Sequence, residues 1–219
     1  MYLTRNRLSA ASLNLHVIFT RLRKTASRTD NSLLKGIMIF KSSLRDIRRV
    51  YGNVTLLTHI YRLKTIPSYR IIWLFRLIGD GKKSIFNRIL YYYYIRFSRK
   101  CLIELHPRTI VGIGIQFPHN GPIVINPSAI IGEDCIIHPC VLIGGDRKTG
   151  SPIIGNNCFI GHGSKLIGKI KIGENVFIAP GAILTKDISD NSVVGSGYNN
   201  IIKHDGGKVA VNRYQSKKL

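Results

Sequence analysis

The chain has 219 residues, of which 44% are apolar, and carries a formal charge of +22 at neutral pH. That length holds one principal domain and a smaller appendage. No apolar run reaches the ~18 residues that a membrane-crossing helix requires. The densest runs, Ile71–Ile78 and Ile85–Phe97, are broken by Arg76, Asn87, Arg88 and Arg96. Residues 1–30 hold Arg5, Arg7, Arg21, Arg23, Lys24 and Arg28 around no long apolar core, which excludes a signal-peptide pattern, so a cytoplasmic protein is expected. The four cysteines, Cys101, Cys135, Cys140 and Cys158, form no CxxC pair, and neither a disulfide framework nor a metal site is expected.

The charge is uneven. Residues 1–100 hold 21 Lys/Arg against 3 Asp/Glu, whereas residues 101–219 hold 12 against 8. The basic half suits an anionic lipid surface, and peripheral contact with the inner face of the membrane is one expectation. No helix-turn-helix, zinc-finger or RNA-recognition signature accompanies it, so nucleic acid is not expected as a partner.

In chain order, residues 1–40 are rich in Ser, Thr and Arg with Asp30 as their single acid, and read as a weakly ordered basic extension. Met38 offers a second translation start that would leave 1–37 dispensable. Residues 41–100 read as a helical domain. Its helices are expected over Leu44–Tyr51, closed by Gly52, over Val54–Leu63, over Tyr69–Leu77 after Pro67, and over Ser84–Arg99. Packing against the rest of the fold and against partner subunits is the first expectation for these helices, and an interfacial membrane surface is the second.

Residues 101–203 carry the dominant signal. Aliphatic or aromatic residues recur every six positions: Leu105, Val111 and Phe117; then Ile125, Ile131, Ile137 and Ile143; then Ile154, Ile160, Leu166, Ile172, Ile178 and Leu184. Four residues after most of them stands a small or β-branched side chain: Thr109, Ala129, Cys135, Val141, Cys158, Ser164, Val176 and Ala182. Glycine often follows the aliphatic, and is read as a permissive turn residue. A period of six fits neither a helix nor an alternating strand, but it fits a parallel β-helix of hexapeptide repeats, three to a coil. The fold class is therefore mainly β, a left-handed parallel β-helix with an N-terminal α-helical domain and a C-terminal tail at 204–219. Cys135 and Cys158 are expected to be packing residues. The register breaks twice, at Pro118–Pro122 and at Gly144–Pro152, and loops that interrupt a rigid repeat are natural places for a site.

Several segments together resemble the serine acetyltransferase family, and more closely its relatives from capsule and lipopolysaccharide gene clusters. They are Asp46–Gly52, Ile66–Arg70, Glu104–Pro107, His119–Pro127, Gly150–Gly155 and the coils up to Ile188. The resemblance implies direct acetyl transfer from acetyl-CoA to a hydroxyl, in a homotrimer, with no metal. It implies His119 as general base and Glu104 as its acidic partner. His106, Asn120, His138 and Ser151 are expected around the acceptor. Gly161, His162, Gly163, Lys165, Ala179, Gly181, Lys186 and Lys203 are expected along the CoA path. The serine-specific enzymes carry Asp where Pro118 stands and an Arg-His pair where Gly150-Ser151 stand, groups suited to a zwitterion. Their absence points to a neutral acceptor, a sugar hydroxyl of a surface polysaccharide or its precursor. Serine O-acetylation for cysteine synthesis is the alternative, and a non-catalytic scaffold for an acidic polymer is a second one.

Overall fold

The computed structural model describes Asp46, Gly52 and residues 56–78, 85–146 and 150–216, all within the unit Ser42–Leu219. The basic extension 1–40, the alternative start at Met38 and the expected helix over Leu44–Tyr51, apart from Asp46, lie outside the described residues.

Three helices precede the β-region: α1 (Leu56–Thr65), α2 (Pro67–Ile78) and α3 (Ile85–Cys101). Pro67 accounts for the break between the first two. It disfavours helix at Ile66 and takes the first helical position of α2, where its missing N–H costs nothing. Ile71, Leu74, Phe75 and Ile78 of α2 repeat at three and four residues and are all buried. The α3 helix docks on the first coil: the Tyr94 hydroxyl donates to the Leu105 carbonyl and the Ser98 hydroxyl to that of Ile103. The packing expectation is met by α2. Both α1 and α3 also leave large apolar groups exposed, among them Leu57, Tyr61, Ile85, Ile89 and Tyr92.

Arg76 fastens the helices to the β-region. Its guanidinium pairs with Asp46, with Nε 2.6 Å from Oδ2, and also donates to the carbonyls of Val111 (2.7 Å) and Gly112 (2.5 Å). Asp46 Oδ1 accepts in addition from the amide of Gly114 at 2.5 Å. A carboxylate so deeply buried is tolerable because nearly all of its acceptor capacity is used.

Residues 103–203 wind into a left-handed parallel β-helix of about five turns with three flat faces. The first face stacks β1 (Ile103–Leu105), β3 (Ile123–Ile125), β6 (Leu142–Gly144), β9 (Lys165–Ile167), β12 (Ala182–Leu184) and β14 (Gly197–Tyr198). The second stacks β2 (Ile110–Val111), β4 (Ile130–Ile131), β7 (Ile153–Ile154) and β10 (Lys171–Ile172). The third stacks β5 (Ile136–Ile137), β8 (Phe159–Ile160), β11 (Phe177–Ile178) and β13 (Val193–Val194), closed by the antiparallel β15 (Ile201–Lys203).

The six-residue count corresponds to columns inside the prism. Leu105, Ile125, Ile143, Leu166 and Leu184 stack on the first face, Val111, Ile131, Ile154 and Ile172 on the second, and Ile137, Ile160 and Ile178 on the third. Every one is buried, as are the small residues that follow at the fourth position. Cys135 and Cys158 are among these, as expected.

The glycines act differently from their expected turn role. A Cβ on Gly132 would lie 2.6 Å from backbone atoms of Gly155, and one on Gly155 would lie 2.7 Å from those of Gly173. They are needed because the next coil leaves no space. The left-handed backbone at the following corner is carried instead by Asp134, Asn157, Asn175 and Asn191, with φ between 55° and 60°, residue types whose short polar side chains suit it.

The stretch expected as a tail folds as α4 (Gly207–Ser216) against the outside of the third face. There Ile136, Phe159 and Phe177 form an outward apolar column, and Val211 covers it.

Candidate functional site

The two register breaks leave the prism at different edges. Pro118–Pro122 bridges the third face to the first, and Gly144–Pro152 bridges the first to the second. Arg147, Lys148 and Thr149 of the second loop lie outside the described residues.

Along the first of these edges the corner residues of successive coils are stacked. The amides of His138, Gly161 and Ala179 donate to the carbonyls of Ile160, Ile178 and Val194, which places these three residues at equivalent positions. Pro139, His162 and Pro180 follow them, and then Cys140, Gly163 and Gly181. Gly163 donates to the Pro139 carbonyl and Gly181 to that of His162. This edge thus gathers His119, Asn120, His138, Gly161, His162, Gly163, Ala179 and Gly181. Gly161 has no room for a side chain, since a Cβ would meet Pro180 N at 2.5 Å. Gly163 and Gly181 take left-handed φ values of 72° and 74°.

The histidines form a cluster. The His119 and His138 ring centroids lie 5.9 Å apart at an interplanar angle of 61°, and His119 is exposed. His138 is half-buried. Its ring packs on Phe159 (5.0 Å) and Tyr214 (5.4 Å), and its Nε2 lies 2.8 Å from the Tyr214 hydroxyl. Burial pushes its pKa below 6.5, and repulsion from His119 and His162 pushes it further. His138 is therefore mostly neutral at pH 7, and an acceptor or donor according to tautomer.

Glu104 sits at the exposed midpoint of β1. In register it heads an outward row of Val124, Leu142, Lys165, Ile183 and Tyr198. Among the described residues no hydrogen bond joins Glu104 to His119, so the expected dyad is not a formed contact in the single chain. Lys165 lies three strands further along the same row, a separation of about 14 Å at the usual strand spacing.

The remaining expected residues lie elsewhere. His106, Ser151 and Lys186 belong to turns between the first and second faces, away from His119. His106 Nδ1 accepts from the Arg108 amide (3.0 Å), and the Ser151 hydroxyl donates to Asn126 Oδ1 (2.9 Å). Lys203 is exposed on β15 beside Val193. The expected acceptor and CoA sets are thus divided between edges of one chain. No group of three metal-ligating side chains occurs among the described residues. Tyr214 and Phe159, which frame His138, were not anticipated. Their signal was the run of large apolar residues at outward positions, Ile136, Phe159 and Phe177, which calls for a cover.

The class of this fold is defined by its repeat: residues 151–186 match the family model for the bacterial transferase hexapeptide of six repeats. Particular relatives narrow the comparison. The serine acetyltransferase of Synechococcus elongatus is 40% identical over 97 residues, 42% of this chain and 40% of that protein. The serine acetyltransferase of Buchnera aphidicola is 29% identical over 175 residues, 76% of this chain and 61% of the relative. The chain thus spans less than two thirds of the length of these curated relatives. Among solved structures, the serine acetyltransferase of Brucella abortus superposes with a TM-score of 0.67 at 24% identity, covering 81% of this chain and 74% of that one. The Brucella melitensis serine O-acetyltransferase gives 0.63 at 26% identity, covering 76% and 68%. These likenesses show the β-helix with its helical portion, and each of them is to a serine acetyltransferase. Among the described residues no helix is long and apolar enough to cross a membrane.

Proposed function

We propose that the protein is an acetyl-CoA-dependent O-acetyltransferase, with the hydroxyl of L-serine as the acceptor the relatives favour and His119 as general base. The observation that carries the reading is the edge on which His119, His138 and His162 stack beside the small residues Gly161, Gly163, Ala179 and Gly181. An exposed imidazole there can take a proton from the acceptor hydroxyl as its oxygen attacks the thioester carbonyl. A hydroxyl is otherwise a weak nucleophile near neutral pH. The negative oxygen of the tetrahedral intermediate requires N–H donors. Collapse breaks the carbon–sulfur bond, and the imidazolium returns its proton to the departing thiolate. His138, held neutral beside His119, adds no competing positive charge. Glu104 is assigned to steadying the imidazolium, a role that needs the carboxylate to approach once substrate is bound.

The division of expected residues between two edges supports a homotrimer, in which the edge of one chain bearing His106, Ser151 and Lys186 would face the His119 edge of its neighbour. The use of acetyl-CoA is compatible with the cytoplasmic location expected from the sequence. A sugar hydroxyl remains the second reading, favoured by Pro118 and Ser151 in place of the charged residues of the serine-specific enzymes.

Purified protein is incubated with acetyl-CoA and either L-serine or a neutral sugar, and thiol release is followed. Release with serine that is lost in His119→Ala is expected. Release with the sugar alone would move the acceptor to the second reading, and no release with either would overturn the activity.

A further inference from the structure

A cavity of about 500 Å³ opens beside the His119 loop, with Asn120 and Gly121 in its wall. The rest of the wall comes from α1, α2 and α3 and the start of the β-helix. Among the described residues it includes three cations, Lys64, Arg70 and Lys100, and no acidic side chain. Arg70 is held in place: Nε donates to the Leu63 carbonyl (2.5 Å), one terminal nitrogen donates to that of Lys64 (2.9 Å), and the guanidinium lies 4.6 Å over the Phe97 ring. Two of its donors are thus used for anchorage, and a guanidinium has five. The two lysines are exposed and free to adapt. The field of Arg70 and Lys100 also reaches Cys101 in the same wall, where it opposes the upward push of burial on the thiol.

A compact set of like charges around a concave wall is costly until an anion enters. The cavity volume lies in the range of small-molecule sites. His119 directly precedes Asn120 of the wall, its Cα about 3.8 Å from that of Asn120. We propose that this cavity seats an anionic group, a carboxylate or a phosphate, of the molecule whose hydroxyl is acetylated. This proposal rests on the O-acetyltransferase reading, and it replaces the neutral acceptor expected from Pro118 and Ser151. Selectivity for a charged acceptor would come from the helical half of the chain, not from the β-helix loops.

The test uses the full chain and a Lys64→Gln/Lys100→Gln variant, in which the anchored Arg70 is left intact. Saturation-transfer NMR reads binding of L-serine, glucose 1-phosphate and glucose, with acetyl-CoA as a control on the same samples. The expected result is binding of one or both anionic probes, none of glucose, and a loss of about tenfold or more in the variant while acetyl-CoA binding is unchanged. Binding of serine alone identifies a carboxylate, and of glucose 1-phosphate alone a phosphate. Unchanged anion binding in the variant, no anion binding by the wild type, equal binding of glucose, or a matching loss of acetyl-CoA binding would each overturn the proposal. Charge-dependent anion binding without any thiol release would leave the site standing and remove the acetyl-transfer reading. Full thiol release with glucose in the variant would do the reverse.

Discussion

The hydroxyl of Tyr214, on the C-terminal helix, lies 2.8 Å from Nε2 of His138, and His138 in turn lies edge-on to His119. A residue 76 positions away in sequence therefore fixes the ring beside the candidate base. Tyr214→Phe removes this partner while keeping the packing on Phe159. It is expected to lower kcat more than it raises the acceptor KM, and to alter the tautomer of His138 seen in ¹⁵N NMR. A change in KM alone would point to a purely structural contact.

The lowered pKa of His138 has a consequence for stability. Its folded value lies below the unfolded 6.5, so the unfolded chain binds more protons in that interval. The stability it contributes is complete above pH 6.5 and declines as pH falls through the folded value. His59, also lowered by burial, contributes in the same direction. The midpoint of thermal unfolding should therefore fall on acidification below pH 6.5, and His138→Gln should flatten part of that fall. An unaltered slope in the variant would count against the burial of this ring.

Two glycines on the same edge should behave unlike each other. Gly161→Ala places a Cβ against backbone atoms of the next coil, at 2.5 Å from Pro180 N, where neither side can yield cheaply. Gly163→Ala meets open space but keeps a left-handed φ of 72°, at a cost of about 1–2 kcal/mol. Thermal unfolding should show the first variant to be markedly the less stable.

The Asp46–Arg76 pair ties the helices to the first coil, with Asp46 only 2% exposed. Asp46→Ala leaves the guanidinium beside two carbonyls without its counter-charge and is expected to cost about 3–5 kcal/mol. Denaturant unfolding measures this directly. A loss below about 1 kcal/mol, the range of exposed pairs, would show that the contact is solvated.

Of the four cysteines, Cys101, Cys135 and Cys158 are buried and Cys140 is exposed at a corner of the His119 edge. The Cys158 thiol is pushed up by its hydrogen bond with Cys135 and by burial, and that of Cys101 by burial. Native protein should therefore react with a thiol reagent once per chain quickly, at Cys140, and with the others only on unfolding. Mass spectrometry of briefly alkylated protein distinguishes the two classes.

Much of the β-helix is legible because the prism interior enforces its spacing: residues such as Ile143 and Leu166 have nowhere else to point. The helix α2 is legible from Pro67 and from the 71, 74, 75, 78 spacing. The site is less so. The sequence places His119 at a break, but nothing in it states where a side chain on a loop will turn, and Glu104 remains unjoined to it. The helix carrying Tyr214 was missed because its buried face is narrow, essentially Val211, with Tyr214 and Gln215 making polar contacts. The residues that demand this cover, Ile136, Phe159 and Phe177, lie on earlier coils far from it in the chain.

The two loops that leave the prism do so without altering the pairing of the strands around them: β3 still lies in register with β1, and β7 with β4. The ladder clamps each coil above and below, so the stack keeps its register across both breaks. Chain length at Pro118–Pro122 and Gly144–Pro152 is thereby uncoupled from the architecture. Lengthening, shortening or exchanging either loop should change what its own edge presents while the interior columns keep their order, which makes these corners suitable places to graft a different acceptor preference.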